Sequence, residues 1–172
     1  MVSGIGIFRS TDGGQSWNLL ESTHNEENFR WINKILIDET DANKLLVATN
    51  EGIFRSLNGG ASWDTTWFRG YAVQDLKANP EDPKTIYAAA NSLGIIKSYD
   101  GGENWFDAYE GIGTGYRFSL DVSSVDTNYV FTSVEAPELV TEAYISKDGA
   151  ASWRKLNDSD LSFIDFLGNQ GW

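Results

Sequence analysis

The chain has 172 residues, of which 41% are hydrophobic, 13% aromatic and 22% charged, a composition typical of a globular domain and not of a disordered or fibrous chain. Its formal net charge of −12 disfavours binding to nucleic acid or to an anionic membrane surface. It has no cysteine, one histidine and no apolar run near the ~18 residues that span a bilayer, so we expect no membrane insertion, no metal site and no cofactor.

The first predicted element is a β-hairpin that is closed by a short polar motif. Residues 10–17 read STDGGQSW, and short apolar runs precede and follow them. The same pattern returns at residues 56–63, 98–105 and 146–153, so successive motifs begin 46, 42 and 48 residues apart. A repeat of about 40–50 residues with four strands is typical of a β-propeller blade.

Pairs of further strands are predicted between the motifs, at residues 31–37 and 44–49, 72–78 and 85–90, and 116–122 and 129–134. These runs are rich in β-branched and aromatic residues, and polar turns join the members of each pair. Each blade is therefore predicted to be an antiparallel meander of strands A, B, C and D, with the motif between C and D. The predicted fold class is all-β, a β-propeller segment of four-stranded antiparallel blades.

This register divides the chain, a single propeller segment over residues 1–172, into approximate blades. We expect a partial blade at 1–20, whole blades at 29–67, 71–109 and 116–156, and a partial blade at 161–172. Propellers close with about four to eight blades, so we expect this segment not to close a ring alone. The expected neighbours are the remaining blades of the same propeller or a second copy of the chain.

The motif residues are predicted to build turns and not to catalyse a reaction. The third residue, Asp or Asn, accepts backbone N–H groups, the glycines permit positive φ, and the tryptophan covers the hairpin. Ala150 replaces a glycine in the fourth motif, so we expect that turn to be strained or altered. The residues assigned this structural role are Ser10, Asp12, Gly14, Trp17, Ser56, Asn58, Gly60, Trp63, Ser98, Asp100, Gly102, Trp105, Ser146, Asp148 and Trp153.

The motifs resemble the Asp-box (BNR) repeat of β-propellers. Residues 52–63 (GIFRSLNGGASW) and 79–83 (NPEDP) most resemble the sortilin-type and xyloglucanase-type branch of that family. The resemblance implies a secreted or extracytoplasmic protein with its ligand face on the D–A and B–C connections, away from the motifs. The D–A connections are expected at 21–28, 66–71 and 107–115, and the B–C connections at 50–51, 91–94 and 135–142.

Six residues in or beside these connections are candidate ligand contacts: Trp67, Arg69, Tyr71, Tyr109, Tyr116 and Arg117. The aromatic rings suit stacking on a sugar or a peptide, and the alternative is that they cap strand ends between blades. The two arginines suit a ligand carboxylate, and the alternative is that they form local ion pairs. His24 lies in a polar loop and is expected to be solvated.

Two functions remain open at this stage. The first is a binding or assembly module for a protein or carbohydrate ligand. The second is part of a xyloglucanase-like or sialidase-like glycoside hydrolase, which needs two suitably spaced carboxylates. Candidates are Glu51, Glu110, Glu135 and Glu138, but their spacing is not readable from the sequence, so no catalytic residue is assigned. Arg9 and Arg55 belong to the repeat, so they do not serve as a sialidase's substrate-binding arginines.

Overall fold

The structure, a computed structural model, describes residues 4–137 and 140–156. Within these ranges it has three four-stranded antiparallel sheets and one two-stranded sheet, so the predicted all-β propeller fold is confirmed. The strand predicted at 161–167 lies outside the described residues. We name the sheets blades 1 to 4 in chain order, blade 1 being the two-stranded one.

The strands follow the predicted meander. Blade 1 has β1 (Phe8–Arg9) and β2 (Asn18–Leu19); blade 2 has β3 (Ile32–Asp38), β4 (Asp41–Thr49), β5 (Ile53–Ser56) and β6 (Asp64–Trp67); blade 3 has β7 (Val73–Ala78), β8 (Ile86–Ala90), β9 (Gly94–Ser98) and β10 (Phe106–Asp107); blade 4 has β11 (Phe118–Val122), β12 (Val130–Glu135), β13 (Thr141–Ser146) and β14 (Arg154–Lys155). Two 3-10 turns, Glu21–Thr23 and Glu27–Phe29, connect blades 1 and 2.

Most strand boundaries differ from the predicted ones by one to three residues, and two of these differences shorten a connection. Strand β4 begins at Asp41, since the Asp38 carboxylate accepts the backbone N–H groups of Thr40 and Asp41, at 2.8 and 3.1 Å, and closes a tight turn. Strand β6 runs to Trp67, so the connection predicted at 66–71 begins only at Phe68.

Every motif closes its hairpin with the same hydrogen bonds. In blade 3, Ser98 Oγ donates to Asp100 Oδ1 at 2.8 Å and accepts the N–H of Gly102 at 2.9 Å. Asp100 Oδ1 also accepts the N–H of Asn104 at 2.9 Å. In blade 4, Ala150 adopts a φ of +68°, which L residues rarely adopt, while its N–H still reaches Ser146 Oγ at 2.8 Å. The substitution thus leaves the turn intact and strains one residue.

These hydrogen bonds lower the pKa values of three motif carboxylates, Asp12, Asp100 and Asp148, from 3.8 to about 2. For Asp12 and Asp148 the largest cause is the hydroxyl of the motif's second serine, which donates to the carboxylate. For Asp100 burial is the largest single influence and raises the pKa, but the hydrogen bonds from Asn104, Ser98 and Glu103 together outweigh it.

Folding stability should therefore fall in acid. Because the folded pKa values of about 2 lie below the ordinary value of 3.8, the stabilisation is complete above about pH 4 and is lost as the pH falls towards 2. Urea midpoints measured between pH 5 and 2.5 check this. Asn58→Asp, which adds a fourth such carboxylate, should steepen the loss; an unchanged slope in this variant would contradict the assignment.

The core lies between the blades, where facing sheets interdigitate. One buried cluster joins blades 2 and 3, with Leu46 and Ile53 against Val73 and Leu76, and a second joins blades 3 and 4. The motif tryptophans close these interfaces from the outside. Trp105 Nε1 donates to Thr66 Oγ1 of the preceding blade, and Trp153 Nε1 donates to the carbonyl oxygen of Ala108 in the same way.

Two further polar links join neighbouring blades. The basic residue before each of the first three motifs reaches the motif of the next blade: Arg9 donates to the Gly59 carbonyl, Lys97 to the Gly149 carbonyl, and Arg55 pairs with Glu103. The repeat arginines therefore hold blades together.

The second link lies between the first strands. Each β-bulge at the start of β3 and β7 carries an amide: Asn33 donates to the Val73 carbonyl at 2.8 Å, and Gln74 accepts the Phe118 N–H at 2.9 Å. These bonds fix the starts of β3, β7 and β11 beside one another, which positions the connections that lead into them.

Candidate ligand-binding site

The D–A and B–C connections emerge at the same end of blades 2, 3 and 4 and are tied to each other by one repeated backbone bond. In each of these blades, a residue at the end of the second strand donates its backbone N–H to the carbonyl oxygen of the residue just before the first strand. The three bonds run from Asn50 to Trp31 at 3.1 Å, from Asn91 to Ala72 at 2.7 Å, and from Glu135 to Arg117 at 2.8 Å. Trp31, Ala72 and Arg117 are therefore equivalent positions. This equivalence aligns the three D–A connections.

The residues one position earlier are Arg30, Tyr71 and Tyr116, which are equivalent in the same way. Tyr71 is 37% exposed and Tyr116 is 58% exposed. They precede β7 and β11, which lie next to each other, so their rings occupy matching places on neighbouring blades. We call Arg30, Tyr71, Tyr116 and Arg117 the loop mouth.

The loop mouth carries two uncommitted positive charges. Arg30 and Arg117 are exposed, and neither guanidinium has an ion pair or hydrogen bond to any other residue that the structure describes. Most other basic side chains are paired, for example Lys34 with Asp75 and Lys77 with Asp121. In a chain of net charge −12, two free arginines at one end suit an anionic group on a ligand.

Three of the six predicted contact residues are committed elsewhere. Trp67 is only 5% exposed and packs between blades 2 and 3, so it offers no ring face to a ligand and the prediction for it is corrected. Arg69 pairs with Asp107 at 3.0 Å, as the local-ion-pair alternative expects. Tyr109 donates to the same carboxylate at 3.3 Å. Asp107 thus joins two neighbouring D–A connections.

Sequence reasoning missed Arg30 and Phe68. Phe68 is 61% exposed in the connection between β6 and β7. Arg30 lies two residues before β3, as Tyr71 and Tyr116 lie two residues before β7 and β11, whereas the predicted strand starts at 31, 72 and 116 do not align these three residues.

A polar cluster fixes the connection between β10 and β11, residues 108–117, onto blade 4. Tyr144 donates to Glu142 at 2.6 Å and accepts the N–H of Gly113 at 3.0 Å, while Lys155 also donates to Glu142. The Lys155 and Tyr144 hydrogen bonds lower the pKa of Glu142, and burial raises the pKa of Tyr144. Glu142 is therefore held ionised, which suits a structural acceptor and not a general acid.

Three of the four catalytic candidates lie within the described residues. Glu51 and Glu135 are half-buried and Glu110 is exposed, whereas Glu138 lies outside the described residues. His24 lies 3.6 Å from Glu21 in the first 3-10 turn. Among the described residues there is no group of three histidine, cysteine or acidic side chains arranged for a metal ion. In the same ranges no helix is long and apolar enough to cross a bilayer.

Comparison with known proteins connects this arrangement to a family. Residues 6–169 match the family described as sortilin, neurotensin receptor 3 (Sortilin-Vps10). No curated protein sequence gives a significant match.

Solved structures share the fold at low identity. An ancestral GH74 enzyme is 20% identical with a TM-score of 0.74, over 90% of this chain and 22% of its own. The GH74 xyloglucanase from Xanthomonas campestris is 19% identical with a TM-score of 0.65, over 90% and 28%. YCF48 from Cyanidioschyzon merolae is 16% identical with a TM-score of 0.52, over 73% and 37%. The chain thus spans about a quarter of the length of these GH74 structures.

Proposed function

Because the chain belongs to the sortilin (Sortilin-Vps10) family of Asp-box propellers, we propose that it is part of a binding module that holds a protein or carbohydrate ligand at the loop mouth. The observation that carries the proposal is the placing of two exposed tyrosines, Tyr71 and Tyr116, at equivalent positions on neighbouring blades. A rigid sheet scaffold that presents side chains from its connections is a common arrangement for binding.

The chemistry of the mouth suits recognition. Tyrosine offers a large apolar face with a polar tip and loses little conformational entropy when it is bound. Arg117 follows Tyr116 in sequence, and Arg30 holds the equivalent of the tyrosine position in blade 2. Both guanidinium groups are unpaired among the described residues, and arginine recognises carboxylates by two parallel hydrogen bonds. We therefore propose ligands that combine a flat or apolar surface with a carboxylate, such as an acidic peptide or an acidic glycan.

Removal of the two tyrosine rings should weaken binding strongly. Ligands are first found by screening the chain against arrays of glycans and peptides. Tyr71→Ala combined with Tyr116→Ala should then lower the affinity roughly 30-fold, from a loss of about 1 kcal/mol per ring, in titration calorimetry.

Tyr99→Ala is the matched control, because Tyr99 is 59% exposed but lies in the motif of blade 3, at the opposite end of the sheet. This variant should bind as the unchanged chain does. Equal affinity in the double variant, or arrays without any ligand, would refute the proposal.

The family membership supports a secreted or extracytoplasmic location, which we propose for this chain. The alternative function, part of a xyloglucanase-like or sialidase-like glycoside hydrolase, is supported by the fold shared with GH74 enzymes. An assay with β-glucan and sialoside substrates distinguishes the two functions. A hydrolase should turn over at least one of these substrates and should lose that activity when a glutamate of a connection is replaced, for example in Glu110→Gln.

A further inference from the structure

A cavity of about 290 Å³ opens between the 3-10 turns after β2 and the outer hairpin β5–β6 of blade 2. None of the loop-mouth residues lines it. Its volume lies just below the usual range of ligand pockets, which is about 300 to 1,000 Å³. A single ring-sized group is therefore the appropriate occupant.

The cavity arises because the chain turns into a 3-10 turn directly after the last strand of blade 1. Trp105 and Trp153 are each 8% exposed, because a strand or its continuation in the preceding blade covers them. Strand β2 ends at Leu19, and the chain then turns away. Trp63 Nε1 therefore donates to Ser22 Oγ, at 3.1 Å, in the 3-10 turn Glu21–Thr23. Trp63 is consequently left half-buried at the cavity wall.

The floor of the cavity is aromatic. The ring of Phe29 lies 5.2 Å from the ring of Trp63 and 5.2 Å from the ring of Phe54, centroid to centroid. Phe29 and Phe54 are buried, so they support Trp63, which is the ring a ligand would reach. Tryptophan faces stack well on flat apolar surfaces, including the C–H face of a pyranose.

The rim of the cavity is polar and largely uncommitted. The side chains of Glu26, Asn28 and Thr65 have no hydrogen bond or ion pair with any residue that the structure describes. Ser62 Oγ accepts from Asn58 at 2.8 Å and keeps its own proton available. The rim thus offers carboxylate, amide and hydroxyl groups, and no lysine, arginine or histidine lines it.

We propose that this cavity binds one neutral hexopyranose ring, with the C–H face of the sugar on Trp63 and its hydroxyl groups on Glu26, Asn28 and Thr65. An aromatic wall beside several uncommitted hydrogen-bonding groups matches the two faces of such a ring. The Glu26 carboxylate and the absence of a lining cation disfavour an acidic sugar. The site is independent of the loop mouth and of the function proposed for it.

The test titrates the chain with methyl glycosides of glucose, galactose and mannose and follows the indole N–H resonances by NMR. The expected result is a saturable shift of the Trp63 resonance with at least one of them. Thr65→Ala should weaken that binding about fivefold, the effect of one lost hydrogen bond. Thr11→Ala, an exposed threonine in the motif of blade 1, is the matched control and should not change it.

Four outcomes would overturn the proposal. They are the absence of a saturable Trp63 shift with all three glycosides, equal affinity in Thr65→Ala and Thr11→Ala, an equal shift with methyl glucuronide, and an equal shift with tetramethylammonium, which would indicate a cation site. Combining Tyr71→Ala with Tyr116→Ala should leave the glycoside titration unchanged, so failure at the loop mouth and failure here are distinguishable.

Discussion

Trp105→Ala should destabilise the fold by about 3–5 kcal/mol, the usual cost of truncating a buried tryptophan to alanine. Trp105 is 8% exposed and belongs to the cluster between blades 2 and 3. The substitution also leaves the Thr66 hydroxyl without the indole N–H that lies 3.2 Å away. Since domains are stable by only about 5–15 kcal/mol, urea unfolding followed by circular dichroism should show a large drop in midpoint.

Trp17→Ala is the matched control, because Trp17 holds the same place in the first motif but is 61% exposed. The free energy of unfolding of this variant should change by no more than about 0.5 kcal/mol, as for most surface substitutions. Similar losses in the two variants would show that the tryptophan acts within its own hairpin and not between blades.

Gly52→Ala should be destabilising by more than about 3 kcal/mol, because steric overlap adds to backbone strain. A methyl group on Gly52 would lie 2.2 Å from the Trp67 carbonyl oxygen, and the residue has a φ of +152°. The carbonyl cannot easily retreat, because Trp67 pairs with Ile53 in the sheet.

Gly13→Ala separates strain from overlap. Gly13 has a φ of +71°, but nothing lies within 4 Å of an added methyl group. Its substitution should therefore cost about 1 kcal/mol, the strain alone. Denaturation midpoints of the two variants provide the measurement, and equal losses would mean that the close approach of Trp67 is relieved by a small backbone shift.

The blades were readable from the sequence because their information is local. Alternating apolar residues, a turn with fixed glycine positions and a repeat of near-constant length specify each strand without knowledge of its neighbours. The hydrogen bonds of the Asp12 and Asp148 carboxylates are local as well, because the serine hydroxyls that donate to them lie four residues away in the motif.

The candidate site was only partly readable, because its decisive features are not local. Trp67 is buried because β6 continues to it and pairs it with Ile53, whereas the last strands of blades 3 and 4 contain only two residues. The sequence around Trp67 does not distinguish these lengths. Arg69 is neutralised by Asp107, 38 residues away in the chain. The equivalence of Arg30 to Tyr71 and Tyr116 is visible only from the observed strand starts and the backbone bonds beside them.

The acceptors of the inter-blade links have an evolutionary consequence. Arg9, Asn33, Lys97 and Trp153 all donate to main-chain carbonyl oxygens of the adjacent blade. A main-chain acceptor is present whatever residue occupies the position, so a blade can diverge, be duplicated or be exchanged without losing the bonds that its neighbour makes to it. Links with side-chain acceptors, such as Thr66 for Trp105 and Glu103 for Arg55, constrain a residue in each of the two blades, so they tolerate divergence less well.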